Sequence, residues 1–397
     1  MLLRYGRLPL FIFLAISAVT TTEVGSSEVN NPRIFRISAK SLRDAGFQHG
    51  ALAKDLIHEA FQLPEFESMR AFVSVNGSGK VAFENLKRDN TAHFPGLVEE
   101  IVGTAEGAEV SVDDIWMANM VTEIESLMKE QNEDIASIGH CSDIYAHNGQ
   151  TVAHGHNEDW SVSFKPYWYI LSYSALPGAN FSSCAGMAYP GTMVGFAATW
   201  NAHGVYSTQN TLFPQPTRAY GLASTLAQRI ANCPVGSGPF PVVNNIDEFA
   251  NLLHTKDWAA SASLNVVDLN QQRMSNIEVY EDSFSRYDAV ANYSHFNMFK
   301  HLAIGENADQ GDDSTRHRQA RVNEIAIPHT VQDIVSILGD TEDTLYPIYR
   351  DITLSTLVLN GENSQLDVWI DKNPSVPTSR PHFSFNLRTF FTAETGK

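Results

Sequence analysis

The sequence predicts a layered α+β protein, and three observations carry that expectation. Helical spacing of apolar residues dominates the chain before position 139. Short runs rich in Thr, Val, Tyr and Gly, separated by tight turns, dominate from Ser142 to Phe213. Beyond that, strand and helix patterns arrive in blocks, not in the strict alternation that builds a parallel sheet.

Taken in order, RIFRIS at 33–38 reads as a strand. Residues 42–62 read as a helix, with Leu42, Ala45, Leu52, Leu56, Ile57 and Phe61 near one face. A second helix fits 96–109; its Gly103 and Gly107 call for close packing against another element. A third fits 111–128, with Ser111 as N-cap and Asp113 and Asp114 in the first turn, where the helix dipole favours them. The runs SDIYAH, TVAHGH, WYILSYSA, MVGFAATW and GVYSTQN read as successive strands, the first two joined by a turn at His147-Asn148-Gly149. Helices are expected at 219–232, 245–256, 314–325 and 330–338. Strands are expected at 262–268, 274–280, 352–359 and 365–370.

The chain has 397 residues, 43% of them hydrophobic and 18% charged, which is a globular composition. Its net charge of −18 excludes a basic nucleic-acid footprint and disfavours docking on anionic lipid. Arg4 and Arg7 precede a nearly all-apolar run, Leu8 to Val19, with small residues after it. That run is too short for an ordinary membrane span and reads as a signal peptide over 1–26, or as a short anchor that stays attached. Sequons at Asn76, Asn180 and Asn292 fit a secreted or lumenal protein. There are three cysteines, Cys141, Cys184 and Cys233, an odd number that leaves at least one unpaired. No repeat or low-complexity tract stands out.

The densest polar cluster is His140-Cys141-Ser142-Asp143 followed by His154, His156, Asn157, Glu158, Asp159 and Trp160. A hairpin turning at Asn148-Gly149 brings Asp159 beside Cys141. A thiol in a polar, partly charged pocket is the setting in which cysteine becomes nucleophilic. A buried structural thiol beside a histidine-rich loop is the alternative from composition. His154 and His156 share one strand face and could bind a metal with His140, His147, Glu158 or Asp159, but the spacing matches no zinc signature. Neither a metal nor a cofactor is expected.

Six segments, in order, resemble the isopenicillin-N acyltransferase-like family of cysteine amidohydrolases, which includes an insect β-alanyl-dopamine hydrolase. They are Ala45 to Gly50; Leu97 to Ala108 with the following Asp-Asp-Ile-Trp; Cys141-Ser-Asp with His156 to Trp160; Tyr189-Pro-Gly with Trp200 to Val205 and Thr208-Gln-Asn210; His295 to Phe299; and Asp313 to Arg318. The resemblance implies an Ntn-hydrolase fold, a four-layer αββα sandwich of two antiparallel sheets between helical layers. It also implies self-cleavage between His140 and Cys141, giving fragments 27–140 and 141–397. Cys141 would be the nucleophile, and its freed α-amine the base. The resemblance further implies that Asp159 orients that amine and that Asn297 donates to the oxyanion. Arg316 would hold a substrate carboxylate or a structural acid, and Asn210 would line the oxyanion side or simply form a turn. Cys184 and Cys233 are then left as a disulfide candidate, or as two separate buried thiols. The pattern departs from the family at His140, Ser142, Glu158 and Met298, which puts processing and substrate class in question.

The resulting expectation is a secreted, self-processing amidase that hydrolyses a linear amide, of the N-acyl amino acid or N-β-alanyl amine type, through a thioester. Its partners would be the small-molecule amide and the two fragments with each other, with no nucleic acid or membrane. Transfer of the acyl group to an amine is the enzymatic alternative; an inactive secreted glycoprotein of the same fold is the other. A papain-like protease is disfavoured by the lack of a Cys-Gly-x-Cys-Trp block.

Overall fold

In the computed structural model, residues 33–392 are described apart from 75–76, 132–139, 150, 215, 234–242 and 305–311. The expected signal peptide, Asn76 and Gly139 lie outside the described residues. Among the described residues the order begins with strand β1 (Ile34–Ala39) and the helices α1 (Leu42–Leu52), α2 (Lys54–Ala60), α3 (Pro64–Ser74), α4 (Ser78–His93), α5 (Pro95–Ala108), α6 (Val112–Ala118) and α7 (Val121–Glu130). Six strands follow: β2 (Ser142–His147), β3 (Val152–Asp159), β4 (Tyr169–Ala175), β5 (Cys184–Ala188), β6 (Thr199–Asn201) and β7 (Val205–Leu212). Then come α8 (Ser224–Asn232), α9 (Ile246–Leu253), β8 (Ser261–Asp268), β9 (Arg273–Tyr280), β10 (Ser283–Asp288) and β11 (Tyr293–His295). Helices α10 (Asp312–Glu324) and α11 (Val331–Leu338) and strands β12 (Thr353–Asn360), β13 (Gln365–Ile370) and β14 (Phe383–Asn386) complete the order.

The strands form two sheets. One runs β1-β4-β5-β6-β7-β8-β9-β10, and the other β11-β2-β3-β12-β13-β14. The two are not wholly antiparallel, because β1 pairs with β4 in parallel. The helices between β1 and β4 allow that crossover.

Strand alternation divides the core. On β2 the side chain of Tyr145 faces the other sheet and its hydroxyl donates to Asn265 on β8, 2.7 Å away. Ile144 and Ala146 face the other way, into a second core with Phe296, Ile334, Val335 and Leu338. Both faces of β2 and β3 are therefore covered, and every residue of β3 is buried. The expected α+β sandwich is the architecture found.

The glycines of the second predicted helix do what close packing requires. A Cβ on Gly103 would sit 2.2 Å from the Arg43 carbonyl oxygen, and one on Gly107 2.0 Å from that of Phe47. Gly46 and Gly50 on α1 meet α5 in the same way, with Glu100 and Thr104 carbonyls at 2.1 Å. The two helices meet backbone to backbone, as only glycine permits.

Several boundaries differ from expectation. The helix expected over 42–62 breaks at Ala53 and that over 111–128 at Asn119–Met120. Helices α3 and α4 were not foreseen; α3 buries only Phe66 and Met69, too few for a clear apolar stripe. No helix among the described residues is long and apolar enough to cross a membrane.

Candidate active site

The β2–β3 hairpin builds the site. Ser142 pairs with Asn157 and Asp143 with His156. The His140 N–H donates to the Asp159 carbonyl, 3.1 Å away. Cys141 thus lies at the open end of the hairpin, opposite Glu158 and Asp159, although far from them in sequence. Gly149, at φ 81°, closes the turn at the other end.

Alternation sends Asp143, His154, His156 and Glu158 to the face between the sheets, where all four are buried. Asp143 is the anchor. It contacts His156 Nδ1 at 2.9 Å and lies 2.9 Å from His154 Nε2. It also accepts from Thr208 Oγ1 at 2.6 Å and Asn210 Nδ2 at 2.7 Å. His156 Nε2 meets Glu158 Oε2 at 3.0 Å, and Tyr189 donates its hydroxyl to Glu158 Oε1 at 2.7 Å.

Burial would raise the Asp143 carboxyl, but His156 and His154 overcome it and hold it well below the usual range. Burial would likewise lower His156, yet the Asp143 charge and the bonds to Asp143, Cys141 and Glu158 lift it well above its ordinary value. His156 is therefore an imidazolium between two carboxylates. The Cys141 thiol is pushed up to about 11, first by burial and then by the Glu158 charge, with His156 opposing. At neutral pH it is protonated and needs a base.

Two arginines converge on the peptide bond before the thiol. The His140 carbonyl oxygen accepts from Arg318 Nη1 at 2.9 Å and from Arg350 Nη2 at 2.8 Å. Arg350 also holds Asp159 Oδ2, with Nε at 3.1 Å and Nη2 at 3.0 Å. Thr353 donates to Asp159 Oδ1 at 2.6 Å. Arg318 is fully buried and donates further to Cys141 O, Ser142 Oγ and Asn297 Oδ1 at 2.7, 2.9 and 2.9 Å.

The expected site residues fall into two groups. Cys141, Asp159, His140 and Asn297 come together; the Asn297 amide donates to the Thr211 carbonyl at 2.9 Å while accepting from Arg318. Asn210 and Arg316 do not join them. Asn210 is not a turn residue: it lies within β7, and its amide is taken up by Asp143. Arg316 is more than half exposed and paired with Asp313 on its own helix. Two positions along α10 turn the chain by about half a revolution, so Arg318 is the arginine that faces inward. The Arg316–Asp313 pair is the structural-acid alternative expected for Arg316; Arg318 lies in the same matched block, and no sequence signal singled out Arg350. Among the departures from the family pattern, Ser142 accepts from Arg318 and Glu158 from His156 and Tyr189.

A pocket opens onto the thiol. It is lined by Thr122, Glu125, Cys141, Glu158, Asp159, Trp160, Phe196, Gln209 and Thr211. Burial lifts the Glu125 carboxyl to about 8, with Glu65 adding repulsion. Cys141, His156 and Glu158 each offer a ligand atom within 4.8 Å of the others, the one such grouping among the described residues. Both ring nitrogens of His156 are already used, so a metal there would have to displace the bond to Glu158.

Away from the site, Cys184 and Cys233 are joined in a disulfide and Cys141 is free. Asn180 is exposed. Asn292 is half-buried, with its Oδ1 accepting from the His147 N–H at 2.7 Å.

The sequence profile of a family described as acyl-coenzyme A:6-aminopenicillanic acid acyl-transferase matches residues 146–367. A Drosophila melanogaster protein named beta-alanyl-dopamine/carcinine hydrolase is 22% identical over 284 residues, covering 65% of this chain and 70% of the relative. Two crystal structures of conjugated bile acid hydrolase from Clostridium perfringens, one a mutant and one a variant, align with TM-scores of 0.35 and 0.34. Each is 10% identical and covers 62% of this chain, with 96% and 97% of the bacterial chains matched.

Proposed function

The chain belongs to the acyl-coenzyme A:6-aminopenicillanic acid acyl-transferase family and is an amide-acting enzyme, and on that premise we propose that it is a secreted, self-processing N-terminal-cysteine amidase. The observation that carries this reading is the free, buried thiol of Cys141 opening onto a pocket beside Asp159. A thiol raised to about 11 is a poor nucleophile by itself. Cleavage before Cys141 supplies a base within the same residue, because a free α-amine has a pKa near 8. Asp159, fixed by Arg350 and Thr353, orients that amine. The thiolate attacks the substrate carbonyl, the amine leaving group departs protonated, and water resolves the thioester. Asn297 stabilises the oxyanion.

The pocket supports a substrate class. Its lining has three carboxyl groups, from Glu125, Glu158 and Asp159, two aromatic walls, Trp160 and Phe196, and no basic side chain. Such a lining favours an amide whose acyl or amine part carries a protonated nitrogen, and disfavours the carboxylate of an N-acyl amino acid. An N-β-alanyl amine has that charge.

The test is intact mass and N-terminal sequencing of the purified protein, with amide hydrolysis followed in parallel. The expected result is a chain beginning Cys-Ser-Asp-Ile and release of a free amine from a cationic amide. Activity in a chain left uncut before Cys141 would end the self-processing reading. Adding a competing amine during turnover shows whether transfer accompanies hydrolysis.

A further inference from the structure

The uncut chain faces a difficulty that the mature enzyme does not. Before cleavage Cys141 has no free α-amine to act as its base, and the carbonyl to be attacked belongs to its own peptide bond. The attack also places negative charge on the His140 carbonyl oxygen, inside a buried site. That charge has to be met by donors already in position.

We propose that Arg318 and Arg350 form an oxyanion site for the chain's own cleavage, with both guanidinium groups aimed at the His140 carbonyl oxygen. The inference rests on the self-processing reading above. Both contacts, at 2.9 and 2.8 Å, lie in the range of charge-assisted donors, and they come from two separate elements, helix α10 and the segment before β12. A purely structural arginine needs no second arginine on the same carbonyl, since like charges repel.

The partners of Arg318 strengthen the case. Among the described residues every acceptor it bonds is a neutral oxygen: Ser314 O, His140 O, Cys141 O, Ser142 Oγ, Thr315 Oγ1 and Asn297 Oδ1. A buried cation without a directly bonded carboxylate is under-compensated in the resting chain. Burial and the neighbouring Arg350 charge both press against its protonated form. A negative charge forming on His140 O supplies the missing counter-ion, so the interaction strengthens only as the transition state is reached. Arg350, by contrast, already holds Asp159 and reaches the carbonyl with a nitrogen that serves both.

The chemistry balances within the chain and one water. The Cys141 sulfur bonds to the His140 carbonyl carbon while the carbonyl π pair moves to oxygen. The thiol proton passes to the adjoining Glu158 carboxylate, whose oxygen lies within 4.8 Å of the sulfur, and from there to the departing nitrogen. The pair on oxygen returns, the carbon–nitrogen bond breaks, and Cys141 gains a free α-amine and a thioester to His140. Water then hydrolyses the thioester, leaving the His140 carboxylate and the thiol.

The test uses the full-length chain, comparing wild type with Arg318→Met and Arg350→Met by time-resolved intact mass. Methionine removes the charge while keeping much of the buried volume. Each variant should accumulate as the uncut chain, cleaving at least about 10²-fold more slowly, as loss of an oxyanion donor does. Its melting should remain cooperative. An Arg318→Met chain that cleaves within about threefold of wild type overturns the proposal. If that variant fails to fold, Arg318→Lys decides: it keeps charge and stem but loses the forked donors. Cleavage at least tenfold slower with a near wild-type melting temperature supports the oxyanion role; an unchanged rate overturns it. A wild-type chain never cut before Cys141 removes the self-processing reading itself. A wild type that is cut, with variants cut equally fast, removes this inference alone.

Discussion

Cys141 illustrates how one residue depends on its neighbours' charges. Burial first, and then the Glu158 and Asp159 charges, raise its thiol, and the His156 imidazolium opposes them. Cys141→Ala should abolish both cleavage and amidase activity, whereas Cys184→Ala should leave the junction cut; mass spectrometry of the two proteins checks this. Asp159→Asn removes a carboxylate that keeps a nearby α-amine protonated to higher pH. The rising limb of the pH–rate profile should therefore move to lower pH, by about one unit, a modest shift because Arg350 already neutralises part of that charge. Asn297→Ala, measured on cut and folded protein, should lower turnover by about 10² to 10³ with little change in KM. Near-normal turnover would remove Asn297 from the reaction. Glu125 tests the substrate class. Its carboxyl, lifted to about 8 by burial, is mostly protonated at neutral pH. A cationic substrate binds the ionised form, so KM should fall as pH rises through 8. Glu125→Gln should raise KM about tenfold at pH 9, within the worth of one charged hydrogen bond, and abolish that fall.

At the scale of elements, two devices position the site. The β2–β3 hairpin sets Cys141 against Asp159, and covering it on both faces removes water from the charges it carries. The α1–α5 seam is the other. Gly107→Ala would gain about 1 kcal/mol in a free helix but here drives a methyl into the Phe47 carbonyl. The expected net change is a loss of about 2 kcal/mol, in the range of overpacking, read as a lower melting temperature. A stability gain would show that the helices can part at little cost.

At the scale of the molecule, a cut before Cys141 does not divide the fold. Strand β1 is hydrogen-bonded along β4, α5 reaches α8 through the buried Glu100–Arg229 pair at 2.8 Å, and the Glu123 carboxyl accepts from the Ser224 N–H at 2.8 Å. Residues before the junction also line the pocket, through Thr122 and Glu125. The disulfide joins two residues that both follow the junction, so it does not tether the fragments. The mature protein should migrate as one species in gel filtration, with or without reductant, and as two bands on a denaturing gel without reductant. A fragment lost under native conditions would contradict the interlocked sheet.

The sequence by itself determined many of the periodic elements, the hairpin that joins Cys141 to Asp159, the polar setting of Cys141 and the close packing at Gly103 and Gly107. These follow from local spacing: period two in strands, three to four in helices, and a turn of Asn and Gly. Six ordered segments carried the family as well. Only the tertiary structure decided which arginines reach the His140 carbonyl. Arg316 and Arg318 differ by two positions on one helix, and the choice between them depends on which face meets the junction carbonyl. Arg350 follows the junction by 210 positions, in a loop without periodicity, and reaches it only because β12 pairs with β3. The same holds for Asn210, which alternation within β7 turns toward Asp143, and for Glu125, which became a pocket carboxyl because α7 packs beside the hairpin's open end. Spacing fixes the face a residue occupies on its own element; what that face meets is set by contacts between distant segments, and those carry the charges on which the chemistry depends.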